Sequence, residues 1–166
     1  RDFFKLIDTF NLFLRPDIIN ILKYLIDEKR NKRCHKIMIY TNNQGPKSWA
    51  ESIKEYFHDK LEYKIFDQII GAFKVGGKQI ELCRTSHYKS INDLINCTKL
   101  PEQTQILFID DQHHPEMEGN NVVYLHIKPY VYKYRFIDMI NSYYNANHDI
   151  IHRISDMDAY YKFFKE

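Results

Sequence analysis

The stretch ILFIDDQHHP, Ile106 to Pro115, decides how the rest of the chain reads. Four apolar residues run directly into two carboxylates. That pattern predicts a strand of a parallel sheet, buried on both faces, which delivers Asp110 and Asp111 at its C-terminal end. Ligands of open α/β sheets bind at that edge. Adjacent carboxylates repel each other unless a cation or a hydrogen-bond network compensates. The pair therefore marks a candidate divalent-metal site; in the plainer alternative Asp110 caps the next turn and Asp111 is solvated.

Upstream, Ile37 to Tyr40 read as a second such strand, followed at its C-terminal edge by the polar loop Thr41, Asn42, Asn43, Gln44 and Gly45. A hydroxyl and an amide where a strand meets a helix suit a phosphate oxygen. Thr41 taken alone is equally an ordinary turn residue. Ser48 and Glu51 have capping-box spacing, and Trp49, Ile53, Tyr56 and Phe57 mark the apolar face of the helix they would open. A third strand, Ile65 to Ile70, ends at Gly71, and Gly76 and Gly77 mark a turn. Ser90 and Asp93 then resemble a cap, with Ile91, Leu94 and Ile95 as the apolar face behind it. Lys89 thus stands just ahead of a helix N-terminus, where its charge opposes the dipole unless it faces an anion.

Towards the ends of the chain, Phe3 to Ile7 and Leu12 to Leu14 suggest a hairpin or two brief strands. RPDIINILKYLIDEK has Pro16 at the first helical position and Ile18, Ile21, Leu22 and Leu25 on one face. Lys29, Arg30, Lys32 and Arg33 close that helix, as a solvated end or as an anion-binding patch. Beyond the acidic pair, VVYLHI after Asn121 predicts another strand, and Phe136 to Tyr144 and Ile150 to Phe164 two closing helices. Alternating strands and helices imply an α/β fold with a doubly wound parallel sheet.

A length of 166 residues suits one domain with a real core. Hydrophobic residues at 44% and charged ones at 28% exclude a disordered or fibrous class. A net charge of +2 neither demands nor excludes an anionic partner. No apolar run reaches the roughly 18 residues of a membrane span, and no leader pattern is present, so an intracellular setting, cytoplasmic or nuclear, is expected with no membrane partner. Cys34, Cys83 and Cys97 show no CxxC spacing, which points to reduced thiols rather than a disulfide framework or a zinc knuckle. Adjacent His113 and His114 match no usual ligand spacing with Glu116 and are expected at the mouth of the site or in solvent, with His87 on the surface.

A Thr/Asn loop after one strand, a lysine before a helix and an acidic pair after a later strand, in that order, resemble the haloacid dehalogenase superfamily over most of the chain. The resemblance implies a three-layer, Rossmann-like fold, with Thr41 as the second motif, Lys89 as the third and Asp110 with Asp111 as the fourth. LRPDIINIL, FDQII, HYKSI and FIDD followed by NNVVYLHI look like the NLI-interacting-factor branch, relatives of the phosphatases acting on the RNA polymerase C-terminal domain. The TNNQGP loop is also similar to polynucleotide phosphatases. The activity that the resemblance implies is that of a phosphatase acting through an aspartyl-phosphate with magnesium. Asp110 and Asp111 would hold the Mg2+; Lys89, Thr41 and the Asn42 backbone N–H would bind the phosphoryl oxygens of a phosphorylated substrate, a protein among the candidates.

The family's first motif, DxDx(T/V), which supplies the nucleophile, is missing. Asp8 in FKLIDTFN is followed by Phe10 where the second carboxylate belongs, and an apolar residue transfers no proton. Either the motif and its middle strand lie upstream of Arg1, which is the expectation, or the chain is an inactive relative serving as a binding or scaffold module. A nucleic-acid end phosphatase is the third alternative, and it would require a basic groove.

Overall fold

The computed structural model describes residues 2–146. Among them are five α-helices: α1 (Asp2–Thr9), α2 (Ile18–Arg30), α3 (Lys47–Leu61), α4 (Ile91–Thr98) and α5 (Phe136–Ala146). The strands are β1 (Met38–Tyr40), β2 (Gln68–Ile70), β3 (Lys74–Val75), β4 (Lys78–Gln79), β5 (Ile106–Asp110) and β6 (Val122–His126). The chain is thus mixed α/β, with β1 parallel to β2 across the α3 crossover and β5 parallel to β6. Among the described strands these are two separate parallel pairs. Gly76 and Gly77, at φ 56° and 80°, make the tight turn of the antiparallel β3–β4 hairpin. The expected helix over Ile150 to Phe164 lies outside the described residues.

The contacts divide the chain into two compact units. In the larger, Asp17–Tyr130, the core gathers Ile70 of β2, Leu94 of α4, Phe108 of β5 and Met117, with Tyr40, Ile106 and Val122 packed against them. One face of α4 therefore receives side chains from both parallel pairs. Elsewhere in this unit Leu22 and Ile26 of α2, Tyr56 and Phe57 of α3, and Ile65 are buried. In the other unit, Ile7 and Phe10 near α1 and Ile140 of α5 are buried. There Phe10, Phe13, Tyr132 and Tyr134 make edge-to-face contacts with ring centroids 4.8 to 5.7 Å apart.

Several sequence expectations are corrected. Phe3 to Ile7 is helical rather than extended, because Phe3, Ile7 and Phe10 recur at helical spacing; Asn11–Phe13 is a 3-10 turn. The apolar stripe of α2 runs through Leu22 and Ile26, while Ile21 is exposed, so the buried face is rotated from the one expected. No capping box opens α3: Pro46 holds the N-cap position, which places Ser48 inside the first turn, and Glu51 pairs instead with Lys54 at 2.8 Å. The DD strand is not buried on both faces. Leu107 and Ile109 are 55% and 48% exposed while Phe108 is buried, a period-2 alternation that Val123 and Leu125 continue on β6. Cys83 and Cys97 are not reduced thiols but a disulfide, formed where the chain entering the Arg84 loop meets the end of α4; Cys34 is free. Among the described residues no helix is long and apolar enough to cross a membrane.

His58 on α3 ties that helix to the chain entering β2. Its Nε2 accepts the Phe66 N–H at 3.2 Å, so the ring proton sits on Nδ1. Burial lowers its pKa, against a smaller opposing pull from Glu55. A base whose folded pKa lies below its unfolded one contributes stability that is complete above the ordinary value of 6.5 and is lost as pH falls below it. The unfolding midpoint should drop between about pH 7 and pH 5, and His58→Gln should flatten that slope; equal slopes in thermal melts across this range would contradict the assignment.

Candidate functional site

The C-terminal ends of β1 and β5 and the N-terminus of α4 supply the side chains expected from the sequence, all within the Asp17–Tyr130 unit. A cavity of about 470 Å³ is lined by Asn42, Asn43, Lys89, Asp110, Asp111 and Gln112, with Ile109 and Ile127 as apolar walls. Four of the five expected site residues, Asn42, Lys89, Asp110 and Asp111, thus face one space. Thr41 is the first residue of the same loop but is not part of the lining. Its Oγ1 accepts the Asn43 N–H at 3.0 Å, and Asn43 Oδ1 accepts the Gly45 N–H at 2.7 Å, so the loop is folded on its own side chains.

Lys89 is held by the cap of α4. Ser90 Oγ accepts the Asp93 N–H at 3.1 Å, as the sequence predicted, and this fixes the residue in front of it. The Lys89 ammonium donates to Asp110 Oδ2 at 2.5 Å, with both side chains about nine-tenths buried. Lys89 at a helix start is therefore explained by an anion after all, and that anion is Asp110. Burial works to raise the Asp110 pKa, but hydrogen bonds from Lys89 and from the Gln112 N–H, which donates to Oδ1 at 2.8 Å, outweigh it and hold the carboxyl below its ordinary value. Asp110 is consequently ionised at neutral pH. Asp111 is exposed and faces the same cavity.

The loop after β5 is braced from β6. Tyr124 OH donates to the Gln112 carbonyl at 2.5 Å and accepts the His114 N–H at 3.0 Å. His113 is exposed and lies against the Tyr124 ring. His114, expected at the mouth or in solvent, is instead buried beside Phe108, with Nε2 3.5 Å from Asp110 Oδ1 and not hydrogen-bonded. Burial, reinforced by the nearby Lys89 charge, pushes its pKa down against the pull of Asp110. Among the described residues no group of three or more His, Cys, Asp or Glu is arranged to hold a metal. His87 is exposed, as expected.

Arg84 is a site residue that sequence reasoning missed. This guanidinium is buried and touches both loops of the site, donating to Asn42 on one side and to the His87 and Tyr88 carbonyls on the other. An arginine in a polar stretch carries no periodicity or spacing that would single it out. At the other end of the unit, the basic cluster closing α2 is largely neutralised. Lys29 bonds to Asp67 at 2.7 Å, Arg33 pairs with Glu28 at 2.6 Å, and Arg30 lies 3.6 Å from Asp27.

No family model, curated protein or solved structure matches the chain.

Removing one partner of a buried ion pair leaves the other charge uncompensated. Lys89→Ala should therefore cost about 3 kcal/mol of stability, and the Lys89→Ala/Asp110→Ala double variant should lose clearly less than the two single losses added together. Urea unfolding of the four proteins measures this directly, and strictly additive losses would show that the pair is not coupled.

Proposed function

We propose that this chain is the cation- and phosphate-holding part of a magnesium-dependent phosphatase of the haloacid dehalogenase type, acting on a phosphate monoester such as a phosphoprotein side chain. The observation that carries this reading is the convergence of Lys89, Asp110, Asp111 and Asn42 on one cavity at the C-terminal ends of two parallel strands. In the same reading, the pairs β1–β2 and β5–β6 are flanks of one doubly wound, three-layer sheet. Its middle strand would carry the DxDx(T/V) segment that these 166 residues do not contain. In support, β1 and β5 each have a strand neighbour on one side only among the described residues, and both contribute to the core built on α4.

The donor chemistry fits magnesium. That ion takes hard oxygen ligands, commonly one or two carboxylates, and keeps several waters; Asp110 and Asp111 offer such oxygens at the cavity. When bound, magnesium neutralises charge on the phosphoryl group. The remaining work falls to the protein. Lys89 places a positive charge at the cavity, where it stabilises the oxygens of a phosphoryl group in transit. The carboxamide oxygen of Asn42 accepts from Arg84, which leaves the Nδ2 donors of this cavity-lining side chain for an anion. Thr41 Oγ1, already accepting from Asn43, retains its own proton to donate. An aspartate of the missing motif would attack phosphorus and release the alcohol, and water would then hydrolyse the aspartyl-phosphate.

A second reading, a phosphate-recognising module without turnover, is favoured by one observation: Asp110 already neutralises Lys89. The nucleic-acid alternative loses support because Lys29, Arg30 and Arg33 are engaged by Asp67, Asp27 and Glu28.

In the intact natural polypeptide, Lys89→Ala and Asp111→Ala should each lower magnesium-dependent hydrolysis of p-nitrophenyl phosphate by about 10²- to 10³-fold in kcat. Unchanged turnover in either variant removes the role given to that residue. A wild-type protein that binds phosphopeptide in a Lys89-dependent way without hydrolysing any phosphomonoester selects the module.

A further inference from the structure

We infer that Arg84 is a positioning residue that sets the spacing between the Asn42 loop and Lys89; this inference rests on the phosphate-site reading. Arg84 is 1% exposed and reaches neither the cavity nor solvent. Its guanidinium works as a fork with a loop on each prong. Nη1 donates to Asn42 Oδ1 at 2.8 Å and to the Gly71 carbonyl at 2.9 Å, with a longer contact of 3.4 Å to the Thr41 carbonyl. Nη2 donates to the carbonyls of His87 at 3.1 Å and Tyr88 at 3.0 Å, the two residues preceding Lys89. One rigid planar group thus joins the loop after β1, the end of β2 and the approach to α4.

Two further contacts fix the fork itself, and the residue after it is tied down as well. The guanidinium carbon lies 4.8 Å from the centroid of the Tyr40 ring, and Lys89 Nζ lies 5.6 Å from the same ring, so one aromatic side chain locates both cations. Nε is 4.0 Å from Asp93 Oδ2, beyond hydrogen-bond reach, and is held there by charge alone. Asp93 in turn accepts from the Thr85 N–H at 3.0 Å and the Thr85 hydroxyl at 2.9 Å, which ties the residue after Arg84 to the first turn of α4. A lysine in this place would keep the charge beside Asp93, yet its single ammonium cannot span both loops in the same plane.

Three single variants and one double variant separate this inference from the phosphatase reading beneath it. Arg84→Lys, Asn42→Ala and Lys89→Ala are each titrated with inorganic phosphate in magnesium buffer, and amide hydrogen exchange is followed at Asn43 and Tyr88. Lys89→Ala should lose phosphate binding; wild-type affinity in that variant would overturn the phosphate site and the role of Arg84 in it. Given that loss, Arg84→Lys should weaken phosphate by about tenfold or more and speed exchange at both Asn43 and Tyr88, while α4 amides stay protected. The Asn42→Ala/Arg84→Lys double variant should lose less than the two single losses added together, because the two residues share the Asn42–Arg84 bond. Wild-type phosphate affinity in Arg84→Lys, with or without faster exchange, would overturn the inference. Should Arg84→Lys fail to fold, Asn42→Ala carries the test alone: faster exchange at Tyr88, across the fork from the substitution, supports the coupling, and unchanged exchange there overturns it.

Discussion

Burying a guanidinium without matching acceptors costs several kcal/mol, and that cost constrains how the larger unit of this chain is assembled. The acceptors that satisfy Arg84 come from separate places in the sequence: Asn42, Gly71, His87 and Tyr88. They must therefore converge on it. Convergence puts the end of β1, the end of β2 and the approach to α4 within the span of one side chain. With His87 and Tyr88 held, Lys89 emerges at the cap of α4, and its ammonium meets the Asp110 carboxylate at the end of β5.

The electrostatics follow the same layout. Two cations stand over Tyr40, and each has its own carboxylate, Asp93 near Arg84 and Asp110 on Lys89. The Asp93 pairing is sealed in the interior, where it has a structural role. The Asp110 pairing opens on a cavity, and there hydrogen bonding keeps the carboxyl ionised against the effect of burial. A cation brought to Asp110 would share that carboxylate with Lys89, and a phosphate brought to Lys89 would offer it a second anion. In the proposed reading the Lys89–Asp110 pair would start neutral and exchange partners on loading, which would avoid leaving a bare charge in a poorly solvated place.

The parts legible in the sequence were those governed by local rules. The Ser90–Asp93 cap, the Gly76–Gly77 turn and the abrupt end of β5 at its acidic pair are each set by a few neighbouring residues, and each is found where expected. Asn42, Asp110 and Asp111 were legible because each follows a strand of a parallel pair, Lys89 because it stands just ahead of the Ser90 cap, and the resemblance to the haloacid dehalogenase pattern joined them into one set. What could not be read depends on partners distant in sequence. The alternation along Leu107, Phe108 and Ile109 reflects which face of β5 meets α4, and an unbroken apolar run does not encode that. His114 was misplaced because its burial depends on Phe108 and on the Tyr124 brace. The N-terminal segment, with Phe3, Ile7 and Phe10, did carry a helical period, but its polar interruptions at Asp8 and Thr9 masked it. The cysteines were misjudged because spacing along the chain says nothing of a meeting between the Arg84 loop and the far end of α4.

The bond between Cys83 and Cys97 also has a topological outcome: it closes a covalent ring, with a sequence separation of 14, around Arg84, Lys89, Ser90 and Asp93. The fork and the helix cap are therefore threaded on one macrocycle, and unfolding cannot disperse these four residues as far as an open chain would allow. A protease that nicks the backbone anywhere inside this ring releases nothing: the two halves stay bridged through sulfur, migrating as one band on a gel until a thiol reductant parts them.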